Sequence, residues 1–313
     1  MATVDKLSQP PVEAAPPAAN RRSSLPRALL RAARPKQWAK NVLVFAAPGA
    51  AGVLSHRDVL VDTLLAFVAF CLAASGTYYL NDAADVEADR RHPTKRRRPI
   101  AAGEVPLRLA VVAGVLLLVA GMGVALLVRW ELLVVIAVYI GLTGSYTIWL
   151  KHVAVIDIAV VASGFIMRAI AGGVATHLPI SQWFLIVASF ASLFVVAGKR
   201  YGEHREMGDE RADTRSTLGL YTLPYLRYVW MIASGVAITA YCLWAFEQSA
   251  GRSGLPWFEL SIIPFVIALL RYALLLETGH GAAPEDVILG DRTLQLIGVV
   301  WVTVFACAVY VGK

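Results

Sequence analysis

Residues 59–90 read VLVDTLLAFVAFCLAASGTYYLNDAADVEADR. The part from 59 to 80 is apolar and long enough to cross a bilayer, which needs about 20 residues. Polarity then changes within one residue, at Asn81-Asp82, and acidic side chains follow at Asp85, Glu87 and Asp89. This is a membrane span that ends directly in a carboxylate-rich segment. The rest of the chain agrees with a lipid solvent. Of 313 residues, 58% are hydrophobic and 16% charged, against about 25% charged in soluble domains. Mean hydropathy is +0.61. A water-soluble globule of this make-up would expose large apolar patches, which soluble monomers avoid. A soluble enzyme, a disordered chain and a disulfide scaffold are excluded as whole-chain readings.

Nine apolar runs are long enough to span: 39–54, 59–80, 107–128, 131–150, 153–175, 182–198, 223–246, 257–276 and 293–311. The first is short and carries Pro48, Gly49 and Gly52, so a broken or tilted helix is expected there. Residues 1–30 read as a disordered basic tail, and 31–313 as one all-α, nine-helix domain. The Arg-rich stretch through Lys40 suits an interfacial helix. Of the 29 Lys and Arg residues, 23 fall in alternate segments that include the N-terminal tail. Four, Arg57, Arg129, Arg252 and Lys313, fall on the other side, and Arg168 and Arg271 lie within spans. The positive-inside rule then places the N-terminus in the cytoplasm and the C-terminus outside. The net charge of +7 is a signature of topology and does not call for nucleic acid. Two long inner loops, 81–106 and 199–222, stand out and are expected to cap a central cavity open to the cytoplasm. Cys71, Cys242 and Cys307 all lie in apolar runs without metal-ligand spacing and read as small core residues.

If the second span continues as a helix past the membrane, Asp82, Asp85 and Asp89 fall at i, i+3 and i+7, within an arc of roughly 60°. Three carboxylates on one stripe repel one another. A hard divalent cation removes that repulsion, and Mg²⁺ typically combines a few carboxylates with substrate phosphates. The expectation is a Mg²⁺–diphosphate site, with Asp82, Asp85 and Asp89 as metal ligands. A solvated acidic helix end is the competing reading. The basic run Arg90-Arg91-His92-Pro93-Thr94-Lys95-Arg96-Arg97-Arg98 sets topology and also suits a lid over a polyphosphate.

Asn81-Asp-x-x-Asp-x-x-x-Asp89-Arg, followed by His-Pro-x-Lys-x-x-Arg98-Pro-Ile-x-x-Gly103, resembles the first aspartate-rich motif of the UbiA-type intramembrane prenyltransferases. Asp157 and Arg168-x-x-x-Gly172 resemble the fifth helix of that superfamily. The resemblance covers residues 30–311 and implies nine helices around a central cavity, with dependence on Mg²⁺. One departure is informative. The second aspartate-rich motif expected after the sixth span is replaced by Lys199-Arg200-Tyr201-Gly202-Glu203. Lys and Arg donate to phosphate, so a donor carrying a phosphate beyond its diphosphate is expected.

That departure is similar to the branch of the superfamily that transfers phosphoribosyl groups to decaprenyl phosphate in mycobacteria and their relatives. So are Arg34-Pro35-x-Gln37-Trp38-x-Lys40-Asn41 and Tyr146-x-x-x-x-Lys151-His152. The resemblance implies 5-phosphoribosyl 1-diphosphate as donor, decaprenyl phosphate as acceptor, and a product that feeds cell-wall arabinan. It assigns Asp82, Asp85, Asp89 and Asp157 to catalysis. Asn81, Lys95, Arg98, Lys199, Arg200, Tyr201 and Glu203 would bind donor. Gln37, Lys40, Asn41, Tyr146, Lys151 and Arg168 would bind the acceptor lipid. Asp157 and Arg168, 11 residues apart, share one helical face. Two other functions compete: an aromatic, quinone-type prenyltransferase, and a lipid flippase or transporter. Lipid-facing surfaces leave room for a homo-oligomer.

Overall fold

The computed structural model describes residues 24–92, 94–207, 217–250, 254–279 and 284–311. The tail up to residue 23, Pro93 of the basic loop and residues 208–216 of the second inner loop lie outside the described residues. Eight helices among those described are long and apolar enough to cross a membrane. They are α3 (Arg57–Ala84), α5 (Leu107–Val128), α6 (Trp130–Ile148), α7 (Ile156–Ala175), α8 (Gln182–Met207), α9 (Leu223–Ser249), α10 (Trp257–Glu277) and α12 (Arg292–Tyr310). Four short helices complete the set: α1 (Leu25–Ala32), α2 (Ala46–Ala50), α4 (Val86–Arg91) and α11 (Pro284–Gly290).

The expected first span takes a different form. Residues Pro35–Phe45 make a 3₁₀ helix that leads into α2. At about 2.0 Å per 3₁₀ residue and 1.5 Å per α residue, the contour reaches about 30 Å, one hydrocarbon thickness. The segment lies against α3 and α7. Gly172 of α7 makes that approach feasible, because a Cβ there would stand 1.9 Å from the carbonyl oxygen of Val44. The tail boundary also shifts. Residues 25–30, expected to be disordered, belong to α1, whose Ala28 and Ala32 are fully buried against Tyr79, Ile100 and Val105. The Tyr79 hydroxyl donates to Leu29 O at 2.6 Å and fixes this helix to α3.

Large apolar side chains face outward along the bundle, with Leu127 82% and Leu116 63% exposed. A soluble core would bury them, and lipid accepts them. Polar residues are turned inward. Asp82, Asp89, Asp157, Arg200, His204 and Thr217 are all buried, and they gather where α3, α6, α7 and α8 have one set of their ends. Small residues permit close contact between α3 and α5: a Cβ on Gly76 would meet Gly114 O at 2.8 Å, which is close packing of the kind lipid-embedded helices use.

Candidate active site

The aspartate stripe is not carried on one continuous helix. Helix α3 ends at Ala84, Asp85 departs from helical geometry at φ −92°, ψ 9°, and α4 starts at Val86. The break separates the three acids. Asp82 and Asp89 remain together, because one nitrogen of Arg98, Nη1, donates to Asp82 at 3.0 Å and to Asp89 at 2.6 Å. Asp82 also accepts from Arg34 Nη2 at 2.5 Å, and that guanidinium lies 4.7 Å from the Tyr78 ring centroid. Asp85 turns to Lys151, 3.2 Å away. The expected three-acid cluster is thereby corrected to a pair plus a separate carboxylate. Among the described residues no three His, Cys, Asp or Glu side chains converge to hold a metal by themselves. The pair does fit one. A cationic atom already occupies a point within hydrogen-bond reach of both Asp82 and Asp89, and Mg²⁺ commonly takes one or two carboxylates with its remaining positions filled by phosphate and water.

The second constellation is built on the last turns of α8, which runs eight residues beyond Lys199, the start of the expected loop. Arg200 is 2% exposed. Its Nε donates to Asp157 at 3.1 Å, Nη1 to Glu203 at 2.8 Å and Nη2 to Tyr146 at 3.3 Å. Tyr221 donates its hydroxyl to the other oxygen of Asp157 and accepts from Val155 N at 2.6 Å. Burial, then the bond to Asp157, pushes the Tyr221 phenol well above its ordinary range. Lys199 is half-buried at the rim, 3.8 Å from Glu203.

Two adjacent residues join the constellations. Thr147 donates to Asn81 at 3.0 Å, and its neighbour Tyr146 receives Arg200. The last turn of α6 therefore places the acids of α3 and α4 beside the Lys-Arg pair of α8. The backbone of Lys151, whose side chain holds Asp85, accepts from Thr217 at 3.4 Å. His204 bonds Tyr221 O at 2.9 Å. These contacts fix the described end of the second inner loop over the first.

Four residues sit differently from what their expected roles suggested. Arg200 gives three of its five N–H groups to protein acceptors deep in the bundle, while Lys199 lies beside it at the rim. Tyr201 is buried and donates to Glu277 at 2.8 Å, on the side of α8 that meets α10 and Arg227. Asn41 and Arg168 bond each other at 2.7 Å, and Arg168 also donates to Tyr139 at 3.1 Å. They lie about 16 Å along α7 from Asp157, so they anchor the 3₁₀ segment far below the surface where a lipid phosphate sits. Their shared face with Asp157 does not make a pair. Gln37 and Lys40 are half-buried on the 3₁₀ helix, and Lys95 opens a short 3₁₀ turn, Lys95–Arg97. Sequence reasoning gave no role to Tyr221 or Thr147. It quoted Arg34 within a motif but assigned it no partner.

The profile of the UbiA prenyltransferase family matches residues 42–297. The chain belongs to the UbiA prenyltransferase family. It is 47% identical over 291 residues to the decaprenyl-phosphate phosphoribosyltransferase of Corynebacterium glutamicum, covering 90% of this chain and 87% of that one. Against the protein of the same name from Mycobacterium tuberculosis (strain CDC 1551 / Oshkosh) it is 46% identical over 312 residues, covering 98% and 99%. Among solved structures, a UbiA homolog from Archaeoglobus fulgidus bound to GPP and Mg²⁺ superposes with a TM-score of 0.71 at 13% identity, covering 90% of this chain and 99% of that one. This UbiA member is thus an all-α integral membrane enzyme.

Proposed function

We propose that the chain transfers the 5-phosphoribosyl group of 5-phosphoribosyl 1-diphosphate to decaprenyl phosphate, releasing diphosphate and giving decaprenylphosphoryl 5-phosphoribose. The observation that carries this reading is identity of 46–47% along almost the whole chain to proteins named for that transfer. The site supplies a matching division of labour. Asp82 and Asp89 would hold a divalent ion, Mg²⁺, which would supply charge neutralisation for the leaving diphosphate. Arg98, Arg34 and Lys151 now neutralise the three aspartates. On substrate entry they turn to phosphate oxygens, which suit guanidinium groups equally well. Lys199 faces the 5-phosphate. Asp157 acts at one remove, by holding Arg200 and Tyr221. Gln37 and Lys40 lie on the segment that leads from the surface helix α1 into the bundle, where a lipid phosphate would arrive.

The acceptor oxygen is already anionic, so attack on the anomeric carbon needs no general base. The bond to diphosphate breaks as the new C–O bond forms, with inversion. The protein's main work is to hold two polyanions in register. In the cell the enzyme sits in the plasma membrane with its N-terminus and active site cytoplasmic and its C-terminus outside. The segment 35–50 serves as the ninth crossing. The product serves cell-wall arabinan synthesis.

Membranes containing the expressed protein would be given labelled 5-phosphoribosyl 1-diphosphate with decaprenyl phosphate, and separately a labelled prenyl diphosphate with an aromatic acid. Label entering lipid in the first mixture is expected. Label transfer only in the second would replace this reading with an aromatic prenyltransferase. Movement of lipid across the bilayer without turnover in either would replace it with a flippase.

A further inference from the structure

At the end of the bundle remote from the aspartates, a shallow, wide-open cavity of about 380 Å³ lies between the start of α6 and the end of α7. Its walls include three ionisable side chains, Arg129, Glu131 and His177, set among apolar residues such as Val174 and Leu178. None of them serves the site described above. Arg129 is 17 residues from Tyr146, so the cavity lies about 25 Å away along α6, close to the thickness of the hydrocarbon layer. It is therefore at the opposite membrane surface. Trp130, 65% exposed, lies beside it, as aromatic residues do at the headgroup level.

Arg129 is incompletely satisfied. Its Nη1 donates to Val174 O at 3.0 Å, while its Nε is buried with no hydrogen-bond partner. A buried N–H without an acceptor is costly, and each one in a native protein needs an explanation. That Nε is covered by protein, but Nη2 carries no hydrogen bond either and Arg129 lines the cavity, so an anion entering it meets the Nη2 N–H groups of an under-satisfied guanidinium. Glu131, in the same wall, discourages a ligand that carries negative charge alone. It favours one with a cationic or hydrogen-donating group a few atoms from its phosphate.

We infer that this cavity binds the zwitterionic phosphodiester headgroup of a phospholipid in the leaflet opposite the active site. The phosphate lies on Arg129 and His177, and the amine lies on Glu131. The hollow is open to its surroundings, as a site for a headgroup that stays attached to its acyl chains must be, and apolar residues such as Val174 and Leu178 line it. Phosphoethanolamine fits this charge order and, unlike a quaternary ammonium, brings N–H groups that can donate to Glu131. The shared chemistry is the phosphate on Arg129. A free phosphate ion would also use it, but would leave Glu131 without a partner.

The purified full-length protein would be exposed to equal amounts of phosphatidylethanolamine and phosphatidylglycerol with matched acyl chains, and the lipids retained would be read by native mass spectrometry. Inorganic phosphate would be added in a parallel arm. Phosphatidylethanolamine is expected to be retained preferentially, and excess inorganic phosphate should not displace it. Arg129→Gln should lower its retention about tenfold, the effect of losing about 1.4 kcal/mol. Glu131→Gln should abolish the preference between the two lipids. Phosphoribosyl transfer measured in both variants reports whether they are folded. If Arg129→Gln does not fold, Glu131→Gln decides alone. Equal retention of both lipids by the wild type overturns the inference. So do unchanged retention by a folded Arg129→Gln protein, a preference that survives Glu131→Gln, and displacement by inorganic phosphate.

Discussion

Asp157 is the residue on which the second constellation turns, and removing it should be expensive for the fold. The residue is fully buried, as is Arg200. Asp157→Ala deletes the acceptor of Arg200 Nε at 3.1 Å and of the Tyr221 hydroxyl. Each hydrogen bond to a charged group contributes about 1.5–3 kcal/mol. Arg200 keeps Glu203 at 2.8 Å, so its charge is not left alone. The expected loss is therefore about 3–5 kcal/mol, the range for breaking a buried pair. Asp157→Asn should lose less, because an amide oxygen still accepts from one partner. Tyr221→Phe removes one of the same bonds, so the Asp157→Ala/Tyr221→Phe double variant should be non-additive by about 1–3 kcal/mol. The assay is unfolding of purified protein titrated with dodecyl sulfate in mixed micelles, followed by tryptophan fluorescence. A loss below about 1 kcal/mol for Asp157→Ala, or strict additivity with Tyr221→Phe, would refute the view that Asp157 locks the loop to the bundle.

Tyr221 also predicts a pH dependence. Its phenol is raised in the folded state, so its stabilisation is complete below the ordinary tyrosine value of about 10 and is lost as pH rises beyond it; a stability profile of Tyr221→Phe should lack that alkaline decline. Asp89→Asn should cut turnover by about 10²–10³-fold, the scale for losing one preorganised electrostatic group. Folded yield should stay close to wild type, since Arg98 keeps Asp82. Chelation of divalent ions should abolish wild-type turnover and added Mg²⁺ should restore it, whereas chelator-insensitive transfer would remove the metal from the reading. Gly172→Ala forces a carbon to within 1.9 Å of Val44 O and should destabilise by about 3 kcal/mol; Gly141→Ala, with open space around it, is the neutral control in the same unfolding titration.

The spans were legible because lipid allows little ambiguity: each crossing must be one long apolar run. The expected 107–128 coincides with α5, and 59–80 lies inside α3. The first segment was partly legible, since Pro48 and Gly49 announced a break but not its 3₁₀ form. The aspartate motif stood out in the sequence as a cluster of acids at a span end, but its geometry was misread. A helical wheel over 82–89 assumes an unbroken axis, and the irregular Asp85 turns that residue toward Lys151. Lys199 and Arg200 look equivalent as a dipeptide. A step of about 100° around α8 leaves one at the rim and takes the other into the core, and composition carries no sign of which. Tyr221 on Asp157 was invisible, because the partners are 64 residues apart and no periodicity links them.

The charges of the site explain why its acids come with so many bases. Asp82, Asp85 and Asp89 are matched by Arg34, Arg98 and Lys151, and Asp157 and Glu203 by Lys199 and Arg200. The five acids and five bases just named thus carry no net charge among themselves, and such a balanced set has little pull of its own on a donor and an acceptor that are both polyanions. On the proposed reading, Asp82 and Asp89 would hold a divalent ion, whose charge would shift that balance to positive and leave Arg98 available to phosphate. Basic residues alone would have attracted phosphates without discrimination, including those of the surrounding lipids. On the proposed reading, pairing each base with an acid would keep it engaged until a metal-bound diphosphate offered a better exchange, so selectivity for the donor would follow from those ion pairs.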